Sequence, residues 1–478
     1  MALPPRPARR FLHPTGSMTD SARHVASSRT PLGSRSRPVA RAESASGLNT
    51  DPAAPKTLAS LAATCAKRED WTAAEAAWRQ LLATHPDLAV AQTGLGIALR
   101  EQGRIPEAIA AFEHAIASHA DLAAAHFNLG TCLLGCGRPA EAVRTLKSAL
   151  ALDPSSGDIR FNLALALLKS GAFKTGALAY EARWKAEWRG QERPFSGPRW
   201  NGRALPPGQS LLLWGEQGIG DEIMFAGLVP SALHAAAGPV LIECAPRLVP
   251  LLARSFPGIR PLARTTPPDP AIPPNGPHCP LGALPALLWP ANAVPEAPAA
   301  YLRADPATTD RMREALAALG PGRKIGIAWR GGHPAAKRPR FIPPEAWRAL
   351  AAEQNATFVC LQHAPDEAEL NTLATVVGCP IHRIAACDPL IDLDGFAALI
   401  AALDAVVSVD NSTVHLAGAL GVPTAVLLAV DSDWRWGVDG VSCPWYRNVV
   451  RLRQRAPLDW SAPFNAALDF LAQTAPRR

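Results

Sequence analysis

The first half of the sequence repeats itself with a period of 34 residues. Three repeat positions hold leucine, glycine or another small residue: Leu95, Leu129 and Leu163; Gly103, Gly137 and Gly171; Ala74, Ala108, Ala142 and Gly176. Each unit reads as a helix, a tight turn at glycine, a second helix and a breaking proline. Because such units cover one another's apolar faces, this half is predicted to fold as a stacked array of helix pairs.

This pattern resembles the tetratricopeptide repeat over residues 55–188, in four units of which the first and last are degenerate. Asn128 and Asn162 share one position on the first helix of neighbouring units. An inward asparagine can donate to and accept from a peptide backbone, and the pair is similar to the asparagine ladder of O-linked N-acetylglucosamine transferases. The alternative is packing, since the equivalent positions are Ser60 and Gly94. The concave groove is expected to bind an acceptor protein.

Residues 1–54 are rich in arginine, serine and proline and lack the apolar segment of a secretory signal. They are predicted to be a disordered tail, with Met18 as an alternative start; a transit peptide shares the composition, but the prolines disfavour its helix. Residues 1–50 hold eight of the 48 basic and two of the 41 acidic residues, which leaves 40 basic and 39 acidic side chains elsewhere. No nucleic-acid partner is expected, because binding requires basic charge on a folded face.

The cellular setting is predicted from two further features. No stretch of about 18 apolar residues is present, so no stable membrane insertion is expected. The nine cysteines are scattered and include no C-x-x-C pair, which is typical of thiols in a reducing compartment. The predicted location is the cytoplasm.

The second half, after a linker at residues 189–206, alternates short apolar runs with alanine-rich helical segments. The runs are SLLLW, GPVLIECA, KIGIAWRG, TFVCLQ, AVVSVD, PTAVLLAV and NVVRLRQ. They indicate buried parallel strands in two α/β lobes, residues 207–310 and 311–478, separated by a proline-rich stretch from Pro261 to Pro298. The predicted fold class is an α-solenoid followed by two facing Rossmann-like lobes, with a ligand cleft at the carboxyl ends of their strands.

A glycine-rich segment, WGEQGIGDEIMFA, follows the first of these strands. A dinucleotide fingerprint counted from Gly218 and Gly220 requires a third glycine where the chain has Ile223, and a Walker loop requires Gly-Lys-Ser/Thr. Asp221 further disfavours phosphate, because a carboxylate already occupies the start of the helix. Asp221 is therefore either a chemical group of the cleft or a cap that accepts from the amides of Ile223 or Met224.

A better anion site follows the strand AVVSV of the second lobe. Asp410, Asn411, Ser412 and Thr413 form a loop before a short helix, predicted over about 414–420. Free N–H groups at the helix start, with two hydroxyls beside them, suit a diphosphate. The alternative is ordinary capping of the helix by Asp410 or Ser412.

A basic loop, WRGGHPAAKRPRFIP, follows the strand 324–329. It places Arg330, Lys337, Arg338 and Arg340 at the same mouth of the cleft, where they can bind phosphate. The alternative is a solvated charged loop.

Taken in order, these motifs resemble the bacterial tetratricopeptide-repeat glycosyltransferases, whose catalytic half is similar to glycosyltransferase family 9, the heptosyltransferase type. The resemblance covers about residues 55–470 and depends on GEQGIGDEIMFA, HCPLGALP, YLRAD, IGIAWRGG, SVDNSTVHLAGALGVP and DWRWG. It implies a GT-B fold, with the acceptor site on the first lobe and a nucleotide-diphosphate sugar as donor substrate on the second. It also implies that neither a metal ion nor another cofactor takes part.

The resemblance assigns roles to particular residues. Asp221 matches the general base that takes the proton of the acceptor hydroxyl, and Gly220 lies on the acceptor side. Lys337 matches a basic residue near the donor phosphates, and residues 410–413 match the loop that holds the leaving diphosphate. His415 either contacts the donor or packs at the helix start. One carboxylate base without a nucleophile partner predicts inversion by direct displacement.

Departures from the family pattern leave alternatives. The first lobe is short, and residues 261–277 are expected to replace α/β structure there. This favours a repeat scaffold whose GT-B-like half is not catalytic; a transferase acting on a glycan or lipid-linked acceptor is a further alternative. Asp431-Ser432-Asp433 forms a D-x-D motif, but no metal role is expected, because Asp433 is predicted to be a loop residue before Trp434.

Overall fold

The computed structural model describes residues 53–186, 192–291, 293, 295–331, 340–384 and 387–477. Within these ranges the repeats form helices in four consecutive pairs. The helices are α1 (Ala53–Lys67), α2 (Trp71–Thr84), α3 (Ala89–Glu101), α4 (Ile105–Ser118), α5 (Ala123–Gly135), α6 (Pro139–Leu152), α7 (Gly157–Lys169) and α8 (Phe173–Tyr180). The predicted array of helix pairs is confirmed, whereas the tail at residues 1–52 lies outside the described residues.

The periodic glycines and alanines explain how the pairs form. Gly103, Gly137 and Gly171 have φ of +80°, +72° and +87°, in the left-handed region that ends a helix without strain only at glycine. The repeated alanines of the second helices are fully buried. A Cβ built on Gly130 of α5 would lie 2.6 Å from Leu146 Cγ of α6, so this pair packs too closely for any side chain there.

The first lobe contains a four-stranded parallel sheet with the order β3-β2-β1-β4. Its strands and helices, in chain order, are β1 (Leu211–Trp214), α9 (Ile219–Ala226), α10 (Val229–Ala236), β2 (Val240–Cys244), α11 (Val249–Ser255), β3 (Ile259–Ala263), β4 (His278–Pro280) and α12 (Leu284–Leu288). As predicted for residues 261–277, all of which the structure describes, no helix or strand lies between β3 and β4; only Pro261, Leu262 and Ala263 of this stretch belong to a strand. Both β3 and β4 are outer strands of the sheet, where a proline's missing N–H is tolerated.

The second lobe contains a six-stranded parallel sheet with the order β12-β11-β10-β5-β8-β9. Its main elements are α13 (Pro306–Ala317), β5 (Arg323–Ala328), β8 (Ala356–Cys360), α14 (Glu367–Val377), β9 (Ile381–His382), α15 (Leu393–Ala401), β10 (Ala405–Val409), α16 (Ser412–Ala419), β11 (Thr424–Leu428), β12 (Val449–Arg453) and α17 (Ser461–Gln473). A small hairpin of β6 (Arg330–Gly331) and β7 (Arg340–Phe341) follows β5. All five predicted strands are present. Counted within the lobe, the order is that of a Rossmann sheet, and its direction reverses between β5 and β10.

Two predicted boundaries shift. Helix α13 packs against α15, so the second lobe begins at residue 306 and not at residue 311. The described part of the linker is fixed to the first lobe, because Trp200 N donates to His278 O at 2.9 Å and His278 N donates to Pro198 O at 3.0 Å. The guanidinium of Arg199 also lies 5.4 Å from the ring centre of Trp214.

Candidate functional site

The site lies where α9 of the first lobe and α16 of the second lobe begin side by side. Each helix follows the carboxyl end of an inner strand, β1 and β10. A Cβ built on Gly220 would lie 2.9 Å from His415 Cδ2 and 3.6 Å from Ser412 Cα. The two helix starts are therefore in van der Waals contact, and only glycine fits at position 220 without a shift. The structure thus brings together the two motifs that the sequence placed on separate lobes.

Asp221 forms an ion pair between the lobes. It is the third residue of α9, and its carboxylate binds the guanidinium of Arg435. Both groups are buried, with 7% of Asp221 and 9% of Arg435 exposed. The capping alternative for Asp221 was wrong, because the cap residue of α9 is Gly218 and no side chain caps this helix. Asp221 therefore lies in a buried contact between the lobes, and its chemical role stays a prediction.

Arg435 lies among several carboxylates. Its Nη1 is 2.9 Å from Asp433 Oδ1, and its guanidinium is 5.3 Å from the ring centre of Trp434. Burial lowers the pKa of Arg435, but Asp221, Asp433 and Asp410 outweigh burial and raise it above its ordinary value. The residue is thus a fixed positive charge. Its charge lies directly against the carboxylate of Asp221.

The start of α16 is capped by Asn411, and not by Asp410 or Ser412 as the alternative proposed. Asn411 Oδ1 accepts from Thr413 N at 3.0 Å and from Val414 N at 3.4 Å. The prediction of free amides at these two positions was therefore wrong, because the helix begins at Ser412 and makes Asn411 its cap residue. An entering phosphate can take these amides only after the Asn411 side chain turns away.

The same asparagine joins the two strands at which the sheet order reverses. Its Nδ2 donates to the carbonyl of Arg330, after β5, at 3.3 Å, and Ser408 Oγ of β10 donates to its Oδ1 at 3.1 Å. Asp410 and Thr413 beside it are buried, whereas Ser412 is exposed at the mouth. The predicted anion loop therefore lies at the topological switch point, the usual ligand position in such sheets.

His415 is part of a buried aromatic cluster. Its Nδ1 is 2.8 Å from Tyr446 Oη, and its ring stacks on Trp436 with the centres 5.3 Å apart. Burial raises the pKa of Tyr446 well above its ordinary value, so this phenol is neutral. These contacts fit the packing alternative for His415 and fix the ring that lies against Gly220. A contact between His415 and the donor stays a prediction.

Asn128 and Asn162 lie on α5 and α7 and are both buried. Asn128 Nδ2 donates to Ala124 O at 2.8 Å, and its Oδ1 accepts from Arg100 Nη1 at 2.6 Å. Asn162 Nδ2 donates to Asp158 O at 3.0 Å. The amides thus bond within the repeats, as in the packing alternative, and a bound peptide would have to compete for them.

The basic loop is only partly described. Lys337, Arg338 and the side chain of Arg340 lie outside the described residues, whereas the backbone of Arg340 pairs with Gly331 in the β6–β7 hairpin. Arg330 Nε is 2.7 Å from Glu369 Oε1. Arg330 is therefore tied to α14, while phosphate binding by Lys337 and Arg340 stays a prediction.

The D-x-D motif lies in the loop after β11. Asp433 is the cap residue of a short 3₁₀ turn, Trp434–Trp436, as its predicted position before Trp434 implies, and it contacts Arg435. Among the described residues, no three His, Cys, Asp or Glu side chains are grouped so as to hold a metal ion. Metal independence itself stays a prediction. No helix in the described ranges is both long and apolar enough to cross a membrane.

Two further acid–base pairs were not identified from the sequence. Glu222 pairs with Arg264, and burial raises its pKa although Arg264 opposes this. Glu216 pairs with Arg183 at 2.7 Å. Both glutamates lie within the quoted glycine-rich segment, and Arg435 lies in the quoted DWRWG. A usable signal was available, because loops after the carboxyl ends of parallel strands line the cleft.

Comparison with known proteins agrees with these observations. Residues 308–458 match the family model of glycosyltransferase family 9 (heptosyltransferase). Residues 66–123, 99–148 and 133–192 match models of the tetratricopeptide repeat. The chain joins tetratricopeptide repeats to a glycosyltransferase family 9 domain. The order that the motifs predicted, repeats followed by a domain of this family, is confirmed.

Individual relatives cover different parts of this chain. Protein FlbA of Caulobacter vibrioides is 33% identical over 298 residues, which are 59% of this chain and 49% of FlbA. The chain thus spans about half the length of this curated relative. A solved Thermobaculum terrenum O-GlcNAc transferase mutant is 17% identical, with 89% of this chain and 91% of that one covered and a TM-score of 0.31. MamA is 20% identical over 28% of this chain and 73% of its own, with a TM-score of 0.26.

Proposed function

We propose that this glycosyltransferase transfers a sugar from a nucleotide diphosphate to a protein, with inversion and without a metal ion. The observation that carries the proposal is the contact between the starts of α9 and α16. The proposal is supported by Gly220, next to Asp221, which lies against Ser412, and by Arg435, which binds Asp221 and is acted on by the charge of Asp410. A base on one lobe and an anion-binding helix start on the other are the two parts that a direct displacement requires.

In the proposed reaction, the acceptor hydroxyl oxygen attacks the anomeric carbon of the donor sugar. Asp221 takes the hydroxyl proton while the new carbon–oxygen bond forms. The bond from the anomeric carbon to the phosphate oxygen breaks, and the nucleoside diphosphate leaves with the electron pair. Attack opposite the leaving group inverts the anomeric centre. The backbone amides of Thr413 and Val414 stabilise the leaving charge once Asn411 releases them.

Arg435 has two roles in this proposal. Its charge keeps Asp221 ionised and fixes the direction of its carboxylate. It also lowers the proton affinity of that carboxylate, so Asp221 becomes a stronger base when an entering acceptor or diphosphate draws Arg435 away. The pair therefore favours proton transfer only when a bound substrate draws Arg435 away.

The acceptor is proposed to be a protein held in the repeat groove, since arrays of this kind present concave binding surfaces. Asn128 and Asn162 would bind its backbone by exchanging their internal bonds for peptide ones. A glycan or lipid-linked acceptor is the alternative within the enzyme class. The two are separated by Asn128→Ala and Asn162→Ala, which should weaken transfer to a protein and leave transfer to a free glycan unchanged.

A repeat scaffold without catalysis is the second candidate. The observation that favours it is the closed state of both site groups, because Asp221 is paired with Arg435 and Asn411 occupies the amides of α16. The short first lobe also favours it, since no described helix or strand lies between β3 and β4, although both strands belong to the four-stranded sheet.

Calorimetric titration of the full chain with UDP, GDP, ADP and CMP, with and without Mg²⁺, tests the proposal. One nucleotide is expected to bind equally well under both conditions and to weaken in Lys337→Ala. Asp221→Asn should keep that affinity and lose donor turnover by about 10²–10⁴-fold, the usual contribution of a general base. Asp310→Asn, an exposed carboxylate of α13, is the matched control and should change neither. If no nucleotide binds, the scaffold candidate replaces the enzyme.

A further inference from the structure

The last repeat contacts the loop that leads into α9. Arg183, in a 3₁₀ turn directly after α8, binds Glu216 through two bonds, Nε to Oε2 at 2.7 Å and Nη2 to Oε1 at 2.8 Å. Gln217 Nε2 donates to Tyr180 Oη at 2.8 Å. The side chains of Arg183 and Glu216 are almost fully buried, at 3% and 4% exposed. Residues 215–218, here called the first loop, are thus held by the repeats.

The same repeat contacts the loop after β11. Lys169, the last residue of α7, is 1% exposed, and its Nζ donates to Ser432 O at 2.7 Å. The ring of Tyr180 packs against Trp434 with the centres 5.5 Å apart. A charged lysine is costly to bury, and burial lowers its pKa to about 8. Residues 429–437, here called the second loop, are thus held by the same helix pair.

Each of these two loops carries or leads to one partner of the ion pair between Asp221 and Arg435. The first loop runs directly into α9 and Asp221, and the second loop contains Arg435. The repeat contacts each loop within five residues of the charged group. A movement of α7 relative to α8 would therefore change the distance and angle between Asp221 and Arg435.

We propose that Lys169, Tyr180 and Arg183 are positioning residues of the catalytic site, which fix the two loops so that Asp221 and Arg435 meet. A protein bound in the repeat groove acts on the site through these three residues. The catalytic role of Asp221 and Arg435 in this inference rests on the proposed glycosyltransferase reaction. The coupling between the last repeat and the two loops does not depend on that reaction.

Hydrogen exchange on the full chain tests the coupling without any substrate. Amides of Ser432, Trp436 and Gly437 bond within the second loop and report its order. Lys169→Met should speed their exchange by about tenfold or more, the effect of losing a buried hydrogen bond to a charged group. The matched control is Lys174→Met, because Lys174 Nζ donates to Ala286 O at 2.8 Å and to Trp289 O at 2.9 Å. It removes a similar bridge from repeat to lobe that lies away from the second loop.

Equal exchange in the two lysine variants, or no change in either, would overturn the coupling. Tyr180→Phe, which removes only the hydroxyl, should loosen residues 215–218 and leave the second loop nearly as ordered as in wild type. Loss of order in α1 to α4 in any variant would point to general unfolding of the repeats, and the inference would then fail for that residue.

Kinetics separate positioning from mere docking of the repeats. With the donor found by titration, Lys169→Met should lower kcat by about tenfold while KM for the donor stays within about twofold. In an Arg435→Lys background the same change should add little, because Lys169 acts through Arg435. Fully additive losses would contradict this role. If wild type binds no nucleotide, the proposed function fails, and the exchange experiment still decides the coupling.

Discussion

Replacing Arg435 with methionine tests the central ion pair. Methionine keeps much of the side-chain volume but leaves Asp221 and Asp433 buried, at 7% and 3% exposed, without their guanidinium. Breaking a buried pair in this way costs about 3–5 kcal/mol of the free energy of unfolding. The same change at Arg447 removes a surface pair with Glu296, with side chains 63% and 88% exposed, and should cost about 0–1 kcal/mol.

The loss of stability in Arg435→Met is also expected to depend on pH, which gives a second test of the ion pair. Without the Arg435 guanidinium, burial of Asp221 favours its neutral, protonated form over its charged form. The folded variant then holds more protons than the unfolded one, so its stability falls as pH rises through that range. The deficit of Arg435→Met relative to wild type should therefore be larger at pH 8 than at pH 5.

Urea unfolding followed by tryptophan fluorescence measures both effects. Eight of the 13 tryptophans lie in residues 207–478, so the signal reports mainly the α/β half. Wild type, Arg435→Met and Arg447→Met are compared at the two pH values. If Arg435→Met costs no more than the surface control, or if its deficit does not change with pH, then the pair is not the buried contact that joins the lobes.

Three further changes have expected outcomes. Gly220→Ala should lower the free energy of unfolding by about 1–3 kcal/mol, because the added Cβ overpacks against His415. In the control Gly258→Ala the Cβ would lie 3.7 Å from Leu233 Cδ1, so no such loss is expected. Thermal unfolding compares the two variants, and equal losses would contradict the close contact at Gly220. Burial lowers the pKa of Lys169 to about 8, so above that pH the unfolded chain holds more protons than the folded one. Wild type should therefore gain stability relative to Lys169→Met between pH 8 and 10. A stability difference that does not change with pH would contradict the burial of Lys169. Asn411→Ala should cost about 1 kcal/mol of helix capping in thermal unfolding yet leave nucleotide affinity equal or tighter in calorimetry; a weaker affinity would mean that Asn411 itself binds the donor.

Local patterns in the sequence determined most of the fold. The glycines at 103, 137 and 171 predicted the repeat turns because a left-handed residue ends a helix wherever it occurs. The apolar runs predicted the inner strands because both faces of these sheets are covered. The outer strands β3 and β4 were missed, since their prolines are typical of loops and are tolerated only at a sheet edge.

The site was predictable only in part. Asp221 and the loop of residues 410–413 were found because each follows a strand end. The partner of Asp221 was not, because Arg435 is 214 positions away and no local spacing relates the two. The capping residue of α16 was also missed. Asp410, Asn411 and Ser412 are all good caps, and a shift of one residue in the helix start decides among them.

The contacts of Lys169 and Arg183 determine where this chain can be cut and recombined. If a foreign repeat array were joined before α7, at residues 154–156, Lys169 and Arg183 would be kept together with their contacts to the two loops. A junction at residues 187–191 would follow the boundary between the repeats and the first lobe, but it would replace both Lys169 and Arg183. The last helix pair therefore belongs with the α/β half as one exchangeable unit.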